Sequence, residues 1–234
     1  MPTAKAAPEG AGDIWTWVGL DAQSKLAVSC YVGGGDSEAA MIFMDDLAKR
    51  LANRVQLTSD GHKAYLEAVE GAFGSNIDYA MLVKVYGPAP EGERGYSPTE
   101  CIGAVKHRVE GNPDPKHVST SFSERQNLSM RMGNCRMTRL TNAFSKKAAN
   151  HAHMMAIYFM HYNFVRIHQT LKVTPAMAAW VTVKLWEMAD LIKVFGKLGI
   201  NKHGRISFAT VYTHSLRFQS RSQREFYGRR RNKE

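Results

Sequence analysis

The order of predicted elements, β-β-α-β-α-β followed by two long helices, predicts an α/β protein whose mixed sheet is flanked by helices. Three observations carry that prediction. The chain opens with two short runs rich in aromatic and β-branched residues. Apolar residues then recur at helical spacing. Two further short apolar runs are separated by a second helical pattern.

Residues 1–12 are rich in Ala, Pro and Gly and read as a disordered segment. Ile14-Trp15-Thr16-Trp17-Val18-Gly19-Leu20 reads as a strand. Asp21-Ala22-Gln23-Ser24 is a turn, and 26–32 is the returning strand of a hairpin. Gly33-Gly34-Gly35 breaks it and reads as a flexible turn, because the Lys-Ser/Thr of a phosphate-binding loop is absent. A helix is predicted from Asp36 to about Asn53, with Ile42, Phe43, Leu47 and Leu51 on one face. A strand over 55–59, a helix over 62–72 and a strand over 77–86 follow. Residues 87–117 carry five prolines and several glycines and read as a long insertion with one strand, at 101–109. Helices are predicted over 120–139 and 146–167. Thr174-Pro175 has the form of an N-cap with proline at the first helical position, opening a helix over 176–189. The main domain spans 13–182, and 183–234 reads as a basic tail with little helical pattern.

Of 234 residues, 44% are hydrophobic, enough for a real core. The net charge of +10 favours an anionic partner such as nucleic acid. Residues 201–234 hold nine Lys/Arg against two Glu, so most of that excess sits in the tail. Any groove in the body must rest on local placement of charge. Cys30, Cys101 and Cys135 form no Cys-x-x-Cys, so neither a disulfide framework nor structural zinc is indicated. They read as buried or incidental thiols of a reducing cytoplasm. No apolar run reaches the ~18 residues of a membrane span, so no membrane partner is expected. The start lacks the apolar core of a signal peptide.

Asp60 and Glu124 are the residues whose chemistry stands out. Asp60 closes the run Val55-Gln56-Leu57-Thr58-Ser59, and Glu124 lies at the start of a basic helix. A carboxylate at a strand end, facing one from a helix start, can hold a divalent metal against phosphate. Mg²⁺ takes oxygen ligands, and two such ions about 4 Å apart serve phosphodiester chemistry. Arg125, Arg131, Arg136 and Arg139 flank Glu124 as contacts for backbone phosphate. Plainer readings stand beside these. Asp60-Gly61 is also a turn before a helix, and Ser121-x-x-Glu124 is also a capping box; both readings can coexist. His151, His153 and His161 read as core or surface histidines. Tyr162, Asn163, Arg166 and His168 read as packing residues at a helix end. The tail interleaves Phe208, Tyr212, Phe218, Phe226 and Tyr227 with arginines, a mixture that suits single-stranded nucleic acid and equally a read-through end.

Ser59-Asp60-Gly61-His62-Lys63-Ala64-Tyr65 resembles the second-aspartate segment of DDE transposases of the bacterial insertion sequence one family. Glu124-Arg125-Gln126-Asn127-Leu128-Ser129-Met130-Arg131, with Arg139-Leu140 and Phe144-Ser145-Lys146 beyond it, resembles that family's glutamate helix. Tyr162-Asn163-Phe164-Val165-Arg166-Ile167-His168, with Leu171, Thr174 and Pro175, resembles the segment after it. The resemblance covers about residues 13–182. It implies an RNase H-like fold and cut-and-join DNA transposition in the bacterial cytoplasm. It also implies a homo-oligomer on transposon ends and target DNA. By it, Asp60 and Glu124 are catalytic and ligate Mg²⁺ or Mn²⁺, while Arg125, Arg131, Arg136 and Arg139 hold DNA.

The family's first aspartate lies on the first of three antiparallel strands, whereas two strands precede Asp36 here. The expectation is therefore that the first strand is missing and that two-metal chemistry fails on any DNA. Asp21, in the hairpin turn, and Asp13 are weak substitutes. The rival reading is a catalytically dead, DNA-binding transposase remnant. A third is an unrelated RNase H-like nuclease.

Overall fold

The computed structural model describes residues 14–87, 101–137 and 147–197. Among them, β1 (Trp15–Leu20) and β2 (Ala27–Gly33) form an antiparallel hairpin. A three-stranded mixed sheet is ordered β3 (Gln56–Asp60), β4 (Asp78–Tyr86), β5 (Cys101–Glu110). β3 and β4 run parallel, and β5 returns antiparallel. Among the described residues the predicted single sheet is thus two sheets, with β1 paired to β2 and β3 to β4.

One core nonetheless serves both. Trp17 of β1 and Tyr79 and Met81 of β4 are buried together with Ala40, Phe43, Met44 and Leu47 of α1 (Ser37–Ala48) and Ala68 and Val69 of α2 (Ala64–Phe73). Asp36 starts α1 by accepting the Ala39 amide at 2.9 Å, as N-cap aspartates do. The helix ends at Ala48, short of the predicted Asn53. The opposite face of the hairpin is covered by α4 (Ala148–Phe164), whose Met155 and Phe159 bury Ala27 and Cys30. Asn163 ties this layer to the backbone. Its amide accepts from Ala27 N at 3.0 Å and donates to Ala27 O at 2.9 Å. Tyr162 donates to Lys25 O at 3.0 Å. The packing reading of these two residues therefore holds.

The strand predicted at 101–109 in the insertion is β5, which runs antiparallel along β4, while two predicted helices need correction. The predicted helix over 120–139 is α3 (Ser121–Gly133), followed by a 3-10 turn over Cys135–Met137. The predicted helix over 176–189 is the single turn α5 (Pro175–Ala178), capped by Thr174 as expected. Trp180 takes a left-handed φ of 57°, which stops the helix. The tail then yields α6 (Met188–Lys197), anchored by Leu191 among Leu26, Met160, Phe164 and Ala176. Residues 1–13, 88–100, 138–146 and 198–234, with the predicted N-terminal segment and most of the basic tail, lie outside the described residues.

Candidate metal and phosphate site

The register of β3 and β4 fixes where Asp60 lies. Asp60 pairs with Leu82 and Thr58 with Ala80, so these four share one face of the sheet. Leu82 and Ala80 pack there against Val118, just before α3. Lys84, two residues on from Leu82, is on the same face, and its Nζ lies 2.8 Å from Glu124 Oε1. Two steps along β4 and one strand across put the Asp60 and Lys84 backbones about 8 Å apart. Asp60, on the sheet, and Glu124, on α3 and tied to the sheet through Lys84, are 64 positions apart in the chain and are associated with one sheet face.

Each acidic side chain also has a local task. Asp60 Oδ1 accepts the His62 amide at 3.1 Å, closing the turn into α2. The plain turn reading of Asp60-Gly61 is therefore correct and leaves Oδ2 for other work. The Ser121 capping box does not form. Thr120 is the N-cap, and its hydroxyl donates to Glu124 Oε1 at 2.6 Å. The helix starts one residue earlier than the box requires, so Glu124 is the fourth helical residue and meets the hydroxyl of its cap. The Lys84 ammonium, and after it the Thr120 hydroxyl, hold the Glu124 carboxyl below the usual range. Glu124 reciprocally raises Lys84. Both side chains are partly exposed, 35% for Lys84 and 49% for Glu124, so solvent screens the pair.

Aromatic rings wall the Asp60 end of the sheet. Trp15 lies 5.3 Å from the His62 ring, and Trp17 lies 5.8 Å from His62 and 5.3 Å from Tyr65. His62 Nε2 is 3.1 Å from the Gly35 carbonyl. Burial first, then the charge of Asp60, raises the Tyr65 hydroxyl. Asp21 follows the C-terminal end of β1, in the hairpin turn. Its carboxylate accepts the Ser24 amide at 2.8 Å and the Ser24 hydroxyl. Asp21 thus serves the hairpin turn. Asp13 is outside the described residues.

Of the arginines, Arg125 and Arg131 are exposed on α3, with Arg131 two helical turns from Glu124 on the same stripe. Arg136 is exposed but off the helix, in the 3-10 turn after buried Asn134. Arg139 lies outside the described residues. Sequence reading missed Lys84, Lys106 and Arg108. Lys106 pairs with Leu82 and Arg108 with Ala80, so all three extend the face that holds Asp60. The signal was present: Lys106 and Arg108 are two apart on a strand and must share a side.

Among the described residues no group of three or more His, Cys, Asp or Glu gathers as a metal site. His151 instead faces Thr16 Oγ1 at 3.3 Å, and burial lowers its pKa. Cys30 is buried, while Cys101 and Cys135 are exposed. No described helix is long and apolar enough to cross a membrane. Comparison with protein-family models, with curated proteins and with solved structures gave no match.

Proposed function

We propose that this chain is an RNase H-like DDE transposase of the insertion sequence one type, acting on DNA with Asp60 and Glu124 as ligands for Mg²⁺ or Mn²⁺. The observation that carries the reading is the common sheet face of Asp60 and Glu124, bordered by Lys84, Lys106 and Arg108. Two carboxylates are the hard oxygen donors such a cation takes. A divalent ion held by Asp60 and Glu124 would supply charge neutralisation at phosphate and activation of an attacking oxygen. The chain's own part is electrostatic. Lys106 and Arg108 on the sheet, with Arg125 and Arg131 on α3, line a basic surface for a phosphate backbone, and its affinity for DNA falls with salt.

One observation favours the rival, a DNA-binding remnant without catalysis. The Lys84 ammonium already pairs with Glu124, so a cation taken by Glu124 must displace it. Metal titration separates the readings. Millimolar or tighter Mn²⁺ binding to the whole chain, lost in Asp60→Asn and in Glu124→Gln, supports the enzyme. DNA binding that falls with salt, without Mn²⁺ binding at millimolar concentration, supports the remnant.

A further inference from the structure

Where α3 packs on α4, two polar atoms are buried without a hydrogen-bond partner: Gln126 Nε2 and the Tyr158 hydroxyl. Gln126 is only 4% exposed and Tyr158 8%, so neither is served by bulk water. Burial raises the Tyr158 hydroxyl, while the Arg166 charge, and after it the Gln126 side chain, oppose that rise. The three groups are therefore neighbours, although Gln126 and Tyr158 complete no hydrogen bond with each other. Buried polar groups in folded proteins are paired, so two unpaired donors side by side mark the place of a missing partner.

The packing shows where that partner would enter. Phe122, Gln126, Met130 and Gly133 follow one stripe of α3. At one end of the stripe, a Cβ on Gly133 would come within 3.2 Å of Tyr158 Cε2. At the other, Lys25 Nζ lies 3.4 Å from the centre of the Phe122 ring, and the Lys25 carbonyl accepts from Tyr162. Tyr158 and Tyr162 stack at 6.4 Å. Arg166, whose amide donates to His161 O at 2.9 Å, carries their stripe one turn further. The two helices thus run antiparallel here, with Gln126 between the tyrosines and the partly positive N-terminal end of α3 towards Arg166. That end is cationic. Burial first, then the charges of Lys25 and Arg166, lower His168. Burial lowers Lys25 and the Asp21 charge opposes it, but that carboxylate is engaged by Ser24. Arg166 is exposed and leaves the approach open on its side.

We propose that Gln126, Tyr158 and Arg166, flanked by Lys25 and His168, form a second phosphate site, which takes one phosphodiester of the DNA backbone. The proposal rests on the DNA-binding part of the reading above and not on its metal chemistry. An amide N–H, a phenol O–H and a guanidinium are the donors an oxyanion needs. Gln126 is two residues beyond Glu124, about 200° round the helix. DNA held at both places would wrap the N-terminal half of α3.

Duplex DNA binding by the intact chain in metal-free buffer, read by fluorescence anisotropy across a salt series, tests this. Tyr158→Phe and Gln126→Met each remove one neutral donor and should weaken binding about tenfold with the salt slope unchanged. Arg166→Met should also reduce that slope by about one. Without DNA, the urea midpoints of Tyr158→Phe and Gln126→Met should equal or exceed that of the parent, because each variant loses an unpaired buried donor. A midpoint that falls in Tyr158→Phe gives the hydroxyl a partner in the free protein and overturns the site. Parent-like DNA affinity in all three variants overturns the site and leaves the DNA reading standing. If the parent binds no DNA, titration with inorganic phosphate decides. A shift of the Gln126 side-chain amide resonances that is lost in Arg166→Met upholds the site for free phosphate while the DNA reading fails. No shift overturns both.

Discussion

Replacing Lys84 by methionine keeps the length and apolar stem of the side chain and removes its charge. Lys84 Nζ is 2.8 Å from Glu124 Oε1, and both side chains are partly exposed. A screened surface pair of this kind is worth up to about 1 kcal/mol. A divalent cation that must displace the ammonium loses that much, so Lys84→Met should raise Mn²⁺ affinity by up to about fivefold. The gain should shrink as salt is added, because the competing interaction is itself screened. The Glu124 carboxyl should titrate higher in the variant, since its strongest hydrogen-bond donor is gone. It should not return to the free value, because the Thr120 hydroxyl remains 2.6 Å away. Calorimetric Mn²⁺ titration of the parent, Lys84→Met and Lys84→Met/Glu124→Gln chains measures the first effect; carboxyl chemical shifts measure the second. If Mn²⁺ binds the Lys84→Met chain no better than the parent, Lys84 does not compete with the cation for Glu124 and the shared-site argument fails.

Two further outcomes are expected. Asn163→Ala removes two buried hydrogen bonds to Ala27 and leaves a strand N–H and C=O without them; the urea midpoint should fall by the equivalent of about 2–5 kcal/mol, and a loss under about 1 kcal/mol would mean the amide is not what joins α4 to β2. The Asp78 carboxyl is held down to about 2, first by the Arg54 guanidinium at 2.7 Å and next by the Asn112 amide. Its folded pKa is depressed, so its contribution is complete above about pH 4 and is lost as pH falls towards 2. Asp78→Asn should flatten that part of the acid unfolding curve, and an unchanged curve in the variant would assign the acid sensitivity to other groups.

The strands of this protein were legible because each is a short run of aromatic or β-branched residues ended by Gly, Asp or a turn. β1 to β4 were predicted within about two residues at each end. Helix ends were less legible, since tertiary contacts decide them. No sequence rule says that Trp180 takes a left-handed backbone, or that Leu191 packs beside Leu26 and anchors a helix in the basic tail. The division of the sheet was hidden for a related reason. Local pattern shows that a strand forms, while pairing depends on which neighbour reaches it. Asp60 and Glu124 were singled out by residue type and position. Lys84 was not, because its significance comes from a partner 40 positions away.

The helix that carries Glu124 explains how a surface carboxylate can be positioned at all. On α3 the buried residues are Gln126 and Met130, one turn apart, and Met130 packs among Cys30, Met155, Tyr158 and Phe159. Glu124 and Arg131 lie on the far stripe, since two residues of helix turn through about 200° and seven return almost to the start. The core therefore fixes the rotation of α3 through one face and thereby fixes which charged side chains the other face presents. A slip by one residue would turn Met130 out of the core and carry Glu124 about 100° away from Lys84. Apolar packing on one side and charge placement on the other are thus a single constraint on this helix. That coupling is why a site with half its charge exposed to solvent can still keep Glu124 beside Lys84.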